Sequence, residues 1–136
     1  MSDLTKSMFI AVSGMRAQSE RLRVIAENVA NADSVGAAPG DEPYRRKVIT
    51  FDAVLDRELG AEKVEVKSID RDKGDFKRVH QPGHPAADAE GYILKPNVNT
   101  LIEVTDMREA RRSYEANLQS IQASKSMLRN TLEILQ

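Results

Sequence analysis

The sequence predicts a mainly α fold of the α+β kind, with long N- and C-terminal helices pairing as an α-helical coiled-coil hairpin around a short strand-rich central segment. Three observations carry this. Apolar residues recur at steps of three and four in both terminal regions, the signature of a heptad seam. The residues between them fall into short β-branched runs punctuated by Gly and Pro. Aromatic residues make up only 4% of the 136-residue chain, too little bulk for the centre of a thick core, since those side chains bury the largest areas. The length suits one structural unit, divided here into residues 1–34 (helix and signature turn), 35–99 (loop plus β-rich segment) and 100–136 (second helix).

The first helix carries Leu4, Met8, Ala11, Met15, Leu22, Ile25 and Val29 on its seam, interrupted at Gln18. Ser2-Asp3 can cap it by accepting from first-turn amides. The pattern stops near Ala30, where Asn31-Ala32-Asp33-Ser34 and the Gly- and Pro-containing stretch Val35–Gly40 supply turn formers. Four strands follow, at Lys47–Phe51, Val64–Lys67, Phe76–Val79 and Tyr92–Leu94. Asp72-Lys73-Gly74-Asp75 should turn the second strand onto the third. Gln81-Pro82-Gly83-His84-Pro85 should form a rigid, irregular loop. From Thr100 to Gln136 the chain has neither Gly nor Pro. That run reads as one helix of roughly 35 residues and about 50 Å, with Val104, Met107, Tyr114, Leu118, Ile121, Leu128, Leu132 and Leu135 on its seam and Arg111 and Lys125 in the slots that break it.

Composition and motifs exclude most chemistry. Twenty Lys and Arg against 21 Asp and Glu leave a net charge of -1, without a global field toward nucleic acid or an anionic membrane, so neither partner is expected. Zero cysteine removes disulfides and thiolate chemistry. The N-terminus lacks the features of a cleaved secretory signal, and no apolar run approaches the ~20 residues of a membrane span. His80 and His84 are separated by Pro82 and Gly83 and have no third ligand at fixed spacing, so metal binding is not expected. Asp70, Asp72, Gly74 and Asp75 miss the calcium-loop register, with Gly fifth and Gln81 twelfth. Arg45-Arg46-Lys47 reads as a solvated strand start, and every carboxylate is expected on a solvated face. No catalytic or cofactor motif is present; the expected function is structural, with no enzyme activity and no cofactor.

The positive signal lies away from the seams. Between Ala116 and Leu128 the only charge is Lys125, while Asn117, Gln119, Ser120, Gln122, Ser124 and Ser126 are small or neutral. Ala11-Val12-Ser13-Gly14 shows the same restraint. Such residues let another helix approach without desolvating charge. Gly14, which costs about 1 kcal/mol in a helix interior, marks a close neighbour. A soluble coiled-coil adaptor binding a partner helix shares these features, and a closed dimer of fixed mass would favour it.

Ser13-Gly14-Met15-Arg16-Ala17-Gln18, Arg21-Leu22 and Ala26–Ser34 resemble the amino-terminal signature of the flagellar basal-body rod family, with Glu27 in place of the first of a doubled Asn and Ser34 in place of Thr. Asn97-Val98-Asn99, Glu103, Met107, Ala110, Arg112–Asn117 and Lys125–Leu128 resemble its terminal helix. Pro82–Ala86, Glu90-Gly91-Tyr92 and Lys95–Asn99 are similar to its proximal-rod members. The resemblance implies an axial protein of the flagellum, exported uncleaved by the flagellar type III apparatus. Such a protein polymerises with itself and other rod proteins into a hollow helical rod in the periplasm, which transmits torque and conducts exported subunits. It implies contact with the membrane-ring and export-gate junction, terminal helices lining the tube, and an assembly interface drawn from Gly14, Asn28, Val29, Asn31, Asn97, Asn99, Met107, Tyr114, Asn117 and Met127. Both arms, residues 1–34 and 100–136, should exchange amides quickly in the isolated chain, because a two-helix seam leaves each outer face without a partner.

Overall fold

In a computed structural model, which describes residues 2–136, helix α1 spans Asp3–Ala30 and helix α2 spans Thr100–Ile134. Between them lie strands β1 (Lys47–Asp56), β2 (Ala61–Arg71), β3 (Lys77–His80) and β4 (Tyr92–Lys95). The α+β class and all six elements follow the sequence pattern. Ser2 caps α1, its Oγ accepting the Thr5 N–H at 3.3 Å. Asn99 caps α2 in the same way, accepting from Leu101 at 3.1 Å.

The sheets differ from expectation. β1 pairs with β2, and β3 pairs antiparallel with β4 from Lys77 opposite Lys95 to His80 opposite Tyr92. β2 does not turn onto β3. The carbonyls of Asp72 and Gly74, which a tight hairpin would use, instead accept from the Arg45 guanidinium at 2.8 and 3.0 Å and from Asn97 Nδ2 at 3.2 Å each. The true hairpin turn is Arg57–Gly60, where Asp56 Oδ1 accepts from Glu58 and Leu59 and Gly60 takes φ 64°, a left-handed conformation that glycine adopts at little cost.

The chain divides into two compact units. The first comprises Met1–Leu22, Ile49–Ser68 and Met107–Gln136; the second comprises Arg23–Val48 and Ile69–Asp106. The core of the first is built from small residues, with Ala11, Ala17, Leu59, Ala110 and Ser124 buried. The core of the second holds Val24, Ile25, Ile93, Pro96 and Val98 together with Asn28 and Glu103. Its aromatic rings take cations on their faces instead of filling that core: Arg45 lies 4.2 Å over Phe76 and Arg78 lies 4.0 Å over Tyr92.

The seams are buried unevenly. In α1, Ala11 and Ile25 are buried, while Leu4, Met8, Met15, Leu22 and Val29 are half-buried. In α2, Met107, Tyr114, Ile121 and Leu128 are half-buried, but Val104, Leu118, Leu132 and Leu135 are exposed. The Gln81–Pro85 segment is an irregular loop, held by His84 Nδ1 accepting the Ala86 N–H at 3.0 Å and by the Gln81 N–H donating to Gly91 O at 2.9 Å.

Candidate functional site: helix contact and polar junction

Within the first unit, the α1 and α2 segments approach closely at Gly14. A methyl group placed there would lie 2.7 Å from Asn117 Nδ2, so no other residue fits without moving that amide. Arg21 meets Glu109 at 3.6 Å. As residue numbers rise along α1 the partners fall along α2, so these segments lie antiparallel. Ser13 also ties α1 to the β hairpin: its Oγ donates to Ile10 O at 2.7 Å and accepts the Val64 N–H at 3.2 Å. Gln18, the residue that interrupts the α1 seam, has a buried Oε1 with no hydrogen-bond donor among the described residues.

The second unit contains a polar junction around Asn28, which is 1% exposed. Its Oδ1 accepts the Lys47 N–H at 2.9 Å and the Tyr44 O–H at 2.8 Å. Its Nδ2 donates to Lys47 O at 2.9 Å and reaches Glu103 Oε2 at 3.4 Å. Glu103, fully buried, accepts from Arg46 Nε, and Arg46 further meets Asp72 at 3.4 Å and Asp106 at 3.8 Å. Burial opposes the Arg46 charge, yet the Glu103 and Asp72 carboxylates outweigh it and raise the pKa, so the guanidinium stays cationic. Burial also raises the Tyr44 phenol, preserving the proton it donates to Asn28. The pairing is needed because an unpaired charge at this depth is costly.

Two expectations are corrected here. Arg45-Arg46-Lys47 is not a solvated strand start. Arg45 binds two carbonyls and the Phe76 face, Arg46 enters the junction, and Lys47 Nζ meets Glu27 at 2.7 Å. Glu103, in turn, is a carboxylate inside the protein. Its partners lie 57 and 75 residues away, a separation that leaves no local pattern in the sequence.

The sequence-derived interface residues fall into two groups. Asn28, Asn31, Asn97 and Asn99 use their side chains inside the chain. Asn31 Nδ2 closes the end of α1 on Glu27 O at 2.8 Å, and its Oδ1 accepts the Ser34 hydroxyl at 3.0 Å. Asn97 Oδ1 accepts the Arg46 N–H at 2.8 Å. Val29, half-buried, lies beside them in α1. Gly14 and Asn117 face each other, Met107 and Tyr114 are half-buried on α2, and Met127 is exposed. Glu27 pairs with Lys47 and with Arg23 at 2.7 Å each; the Lys47 contact lowers its pKa from the ordinary 4.5.

No helix among the described residues is long and apolar enough to cross a membrane. Helix α2 keeps several large aliphatic side chains exposed. In the first unit Leu132, Ile134 and Leu135 are 62%, 84% and 78% exposed and Met127 is exposed as well; in the second unit Leu101 and Ile102 are exposed.

Comparison with known proteins decides the family. A 135-residue match at 50% identity, covering 99% of this chain and 97% of the relative, links it to the flagellar basal-body rod protein FlgC of Agrobacterium fabrum. The chain belongs to the FlgC family of flagellar basal-body rod proteins. FlgC of Salmonella typhimurium is 43% identical over 127 residues, 92% of each chain, and FlgC of Bacillus subtilis 36% identical over 143 residues, covering 94% of this chain and 95% of the relative. Residues 8–37 match the flagella basal body rod protein family, and residues 89–134 match the C-terminal family of the flagellar basal body rod FlgEFG proteins. Those two stretches contain the α1 signature turn and the Glu103–Asn117 part of α2. This rod family is structural, not enzymatic, and places the chain in the flagellar basal body among other rod components.

Proposed function

We propose that this rod subunit polymerises through its terminal helices into a hollow axial tube, with α1 and α2 pairing as a coiled-coil hairpin toward the tube wall. In this reading it is exported without cleavage through the flagellar type III apparatus, crosses the periplasm as part of the proximal rod, and adjoins the membrane-ring and export-gate junction. The tube transmits torque and lets later subunits through. Residues 1–34 and 100–136 supply the wall, and 35–99 face outward.

The observation that carries the reading is the exposed apolar surface of α2. A helix with Leu132, Ile134 and Leu135 largely in water gains by burying that surface, at roughly 25 cal/mol per Å², and none of the described residues covers it. Gly14, Val29, Met107, Tyr114, Asn117 and Met127 contribute to the wall, while Asn28, Asn31, Asn97 and Asn99 act by fixing the local shape that presents them.

The test is complementation of a flagellated bacterium lacking its own copy, followed by basal-body purification. The tagged chain should restore swimming, co-purify with the rod and have the intact mass of the full sequence. Restored swimming without the chain in basal bodies would overturn the reading, and a shortened mass would overturn uncleaved export.

A further inference from the structure

The α2 surface holds a charged patch that the seam does not explain. Arg108, Arg111 and Arg112, with Glu115, line a depression of about 180 Å³ in the first unit. All four are exposed, and none forms an ion pair among the described residues. Cations three and four positions apart on a helix repel one another, so the free chain holds an arrangement that a carboxylate surface would relieve. Leu118, seven residues beyond Arg111 and on the same helix face, is exposed beside it.

A complementary surface exists on the same unit. The end of the β1–β2 hairpin, residues 52–62, carries Asp52, Asp56, Glu58 and Glu62 against the single Arg57. Asp56 is engaged by Lys63 at 3.3 Å. Asp52, Glu58 and Glu62 are exposed and form no ion pair among the described residues. Leu55, 61% exposed, and Val54 stand beside them. Each surface therefore combines a concentrated charge of one sign with an uncovered aliphatic group, and the signs are opposite.

Resting on the rod-subunit reading above, we propose that the Arg108–Arg111–Arg112 face of one copy receives the acidic β1–β2 hairpin end of a second copy of this chain, with Leu55 packing near Leu118. Because the two surfaces differ, the contact is head-to-tail. A docked pair still has one free surface of each kind, so contacts of this type extend an assembly unless rotation closes a ring. Charge sets the orientation and the choice of partner, and Leu55, Val54 and Leu118, all exposed in the single copy, supply the apolar packing.

The experiment is charge reversal in the complemented strain, read by swimming rate and by the amount of chain in purified basal bodies. Arg111→Glu with Arg112→Glu, and separately Glu58→Arg with Glu62→Arg, should each cut incorporation about tenfold, near the lower end of what close charge pairs across interfaces contribute. Placing both sets in one chain should restore at least half of it. A combined chain no better than the weaker set, or single sets that incorporate like the parent, would overturn the contact. Amide exchange of each purified variant must match the parent, which separates contact loss from misfolding. The chain has no cysteine, so Leu55→Cys and Leu118→Cys in differently tagged copies should give a mixed-tag dimer with a short bismaleimide; its absence would also overturn the proposal. Failure of the rod reading has its own signature, the parent chain missing from basal bodies.

Discussion

The two units solve the same problem, a chain poor in aromatic bulk, in opposite ways. The unit around Asn28 closes its core with a polar junction in which Asn28 bonds Tyr44, Lys47 and Glu103, and Glu103 also accepts from Arg46. The unit around Gly14 closes mainly on alanine, glycine and serine with Leu59 as its one large buried aliphatic among the described residues, leaves Gln18 Oε1 without a donor among the described residues, and keeps Leu55, Leu118, Leu132 and Leu135 exposed. One is finished by its own residues; the other, on the assembly proposed above, is finished by neighbouring subunits. Small residues bury little area each, so a core of Ala11, Ala17 and Ala110 around Leu59 gains from any further apolar surface buried against it.

Experiments that break the self-contained unit should have the largest effects. Glu103→Ala leaves the Arg46 cation without its buried partner and should cost about 3–5 kcal/mol, read by urea unfolding of the purified chain. Asn28→Ala deletes contacts to Lys47 and the Tyr44 hydroxyl and should cost about 1–3 kcal/mol by the same measurement. An equal loss for Leu132→Ser in the monomer would contradict the division of labour drawn above.

Smaller effects sharpen the comparison from the other side. Gly14→Ala gains up to about 1 kcal/mol in helix propensity but drives a methyl group onto Asn117 Nδ2, so assembly should weaken. Pairing it with Asn117→Ala should recover assembly in a double-mutant cycle. Acid should weaken both units mildly. Glu27 in one and Asp56 in the other have folded pKa values below 4.5 and 3.8, chiefly through the Lys47 contact and the Leu59 N–H. Depressed carboxylates stabilise above their ordinary values, so stability should fall as pH drops below about 4.5 toward the lowered values. A melting temperature flat from pH 6 to 3 would contradict this. The smallest effect on the monomer is expected from Leu132→Ser with Leu135→Ser: within about 0.5 kcal/mol in urea unfolding, yet with clear loss of incorporation into basal bodies.

What the sequence revealed follows from how far apart the determining residues lie. The seams, the Gly- and Pro-free run from Thr100 and the β-branched runs are local patterns, and the helices and all four strands were legible from them. Gly14 was legible too, because a glycine costs stability in mid-helix unless something passes close, and Asn117 does. Strand pairing was not, because Asp72-Lys73-Gly74-Asp75 has the composition of a turn while its carbonyls are taken by Arg45 and Asn97, 23 to 29 residues away. The junction was least legible, since Arg46 and Glu103 each look like ordinary surface charges until the chain brings them together. Asn28, Asn31, Asn97 and Asn99 were recognisable as special by family resemblance, but the sequence did not tell that their bonds are spent within the chain.

The distance between Asn28 and Glu103 along the chain also bears on timing. Seventy-five residues separate them, and contacts of such long range slow folding because the loop between them must be closed first. During synthesis the Arg46 guanidinium emerges more than fifty residues before the carboxylate that receives it. The first two-thirds of the polypeptide therefore leaves the ribosome with no means of completing the junction, and that unit can close only once the first turn of α2 has been made.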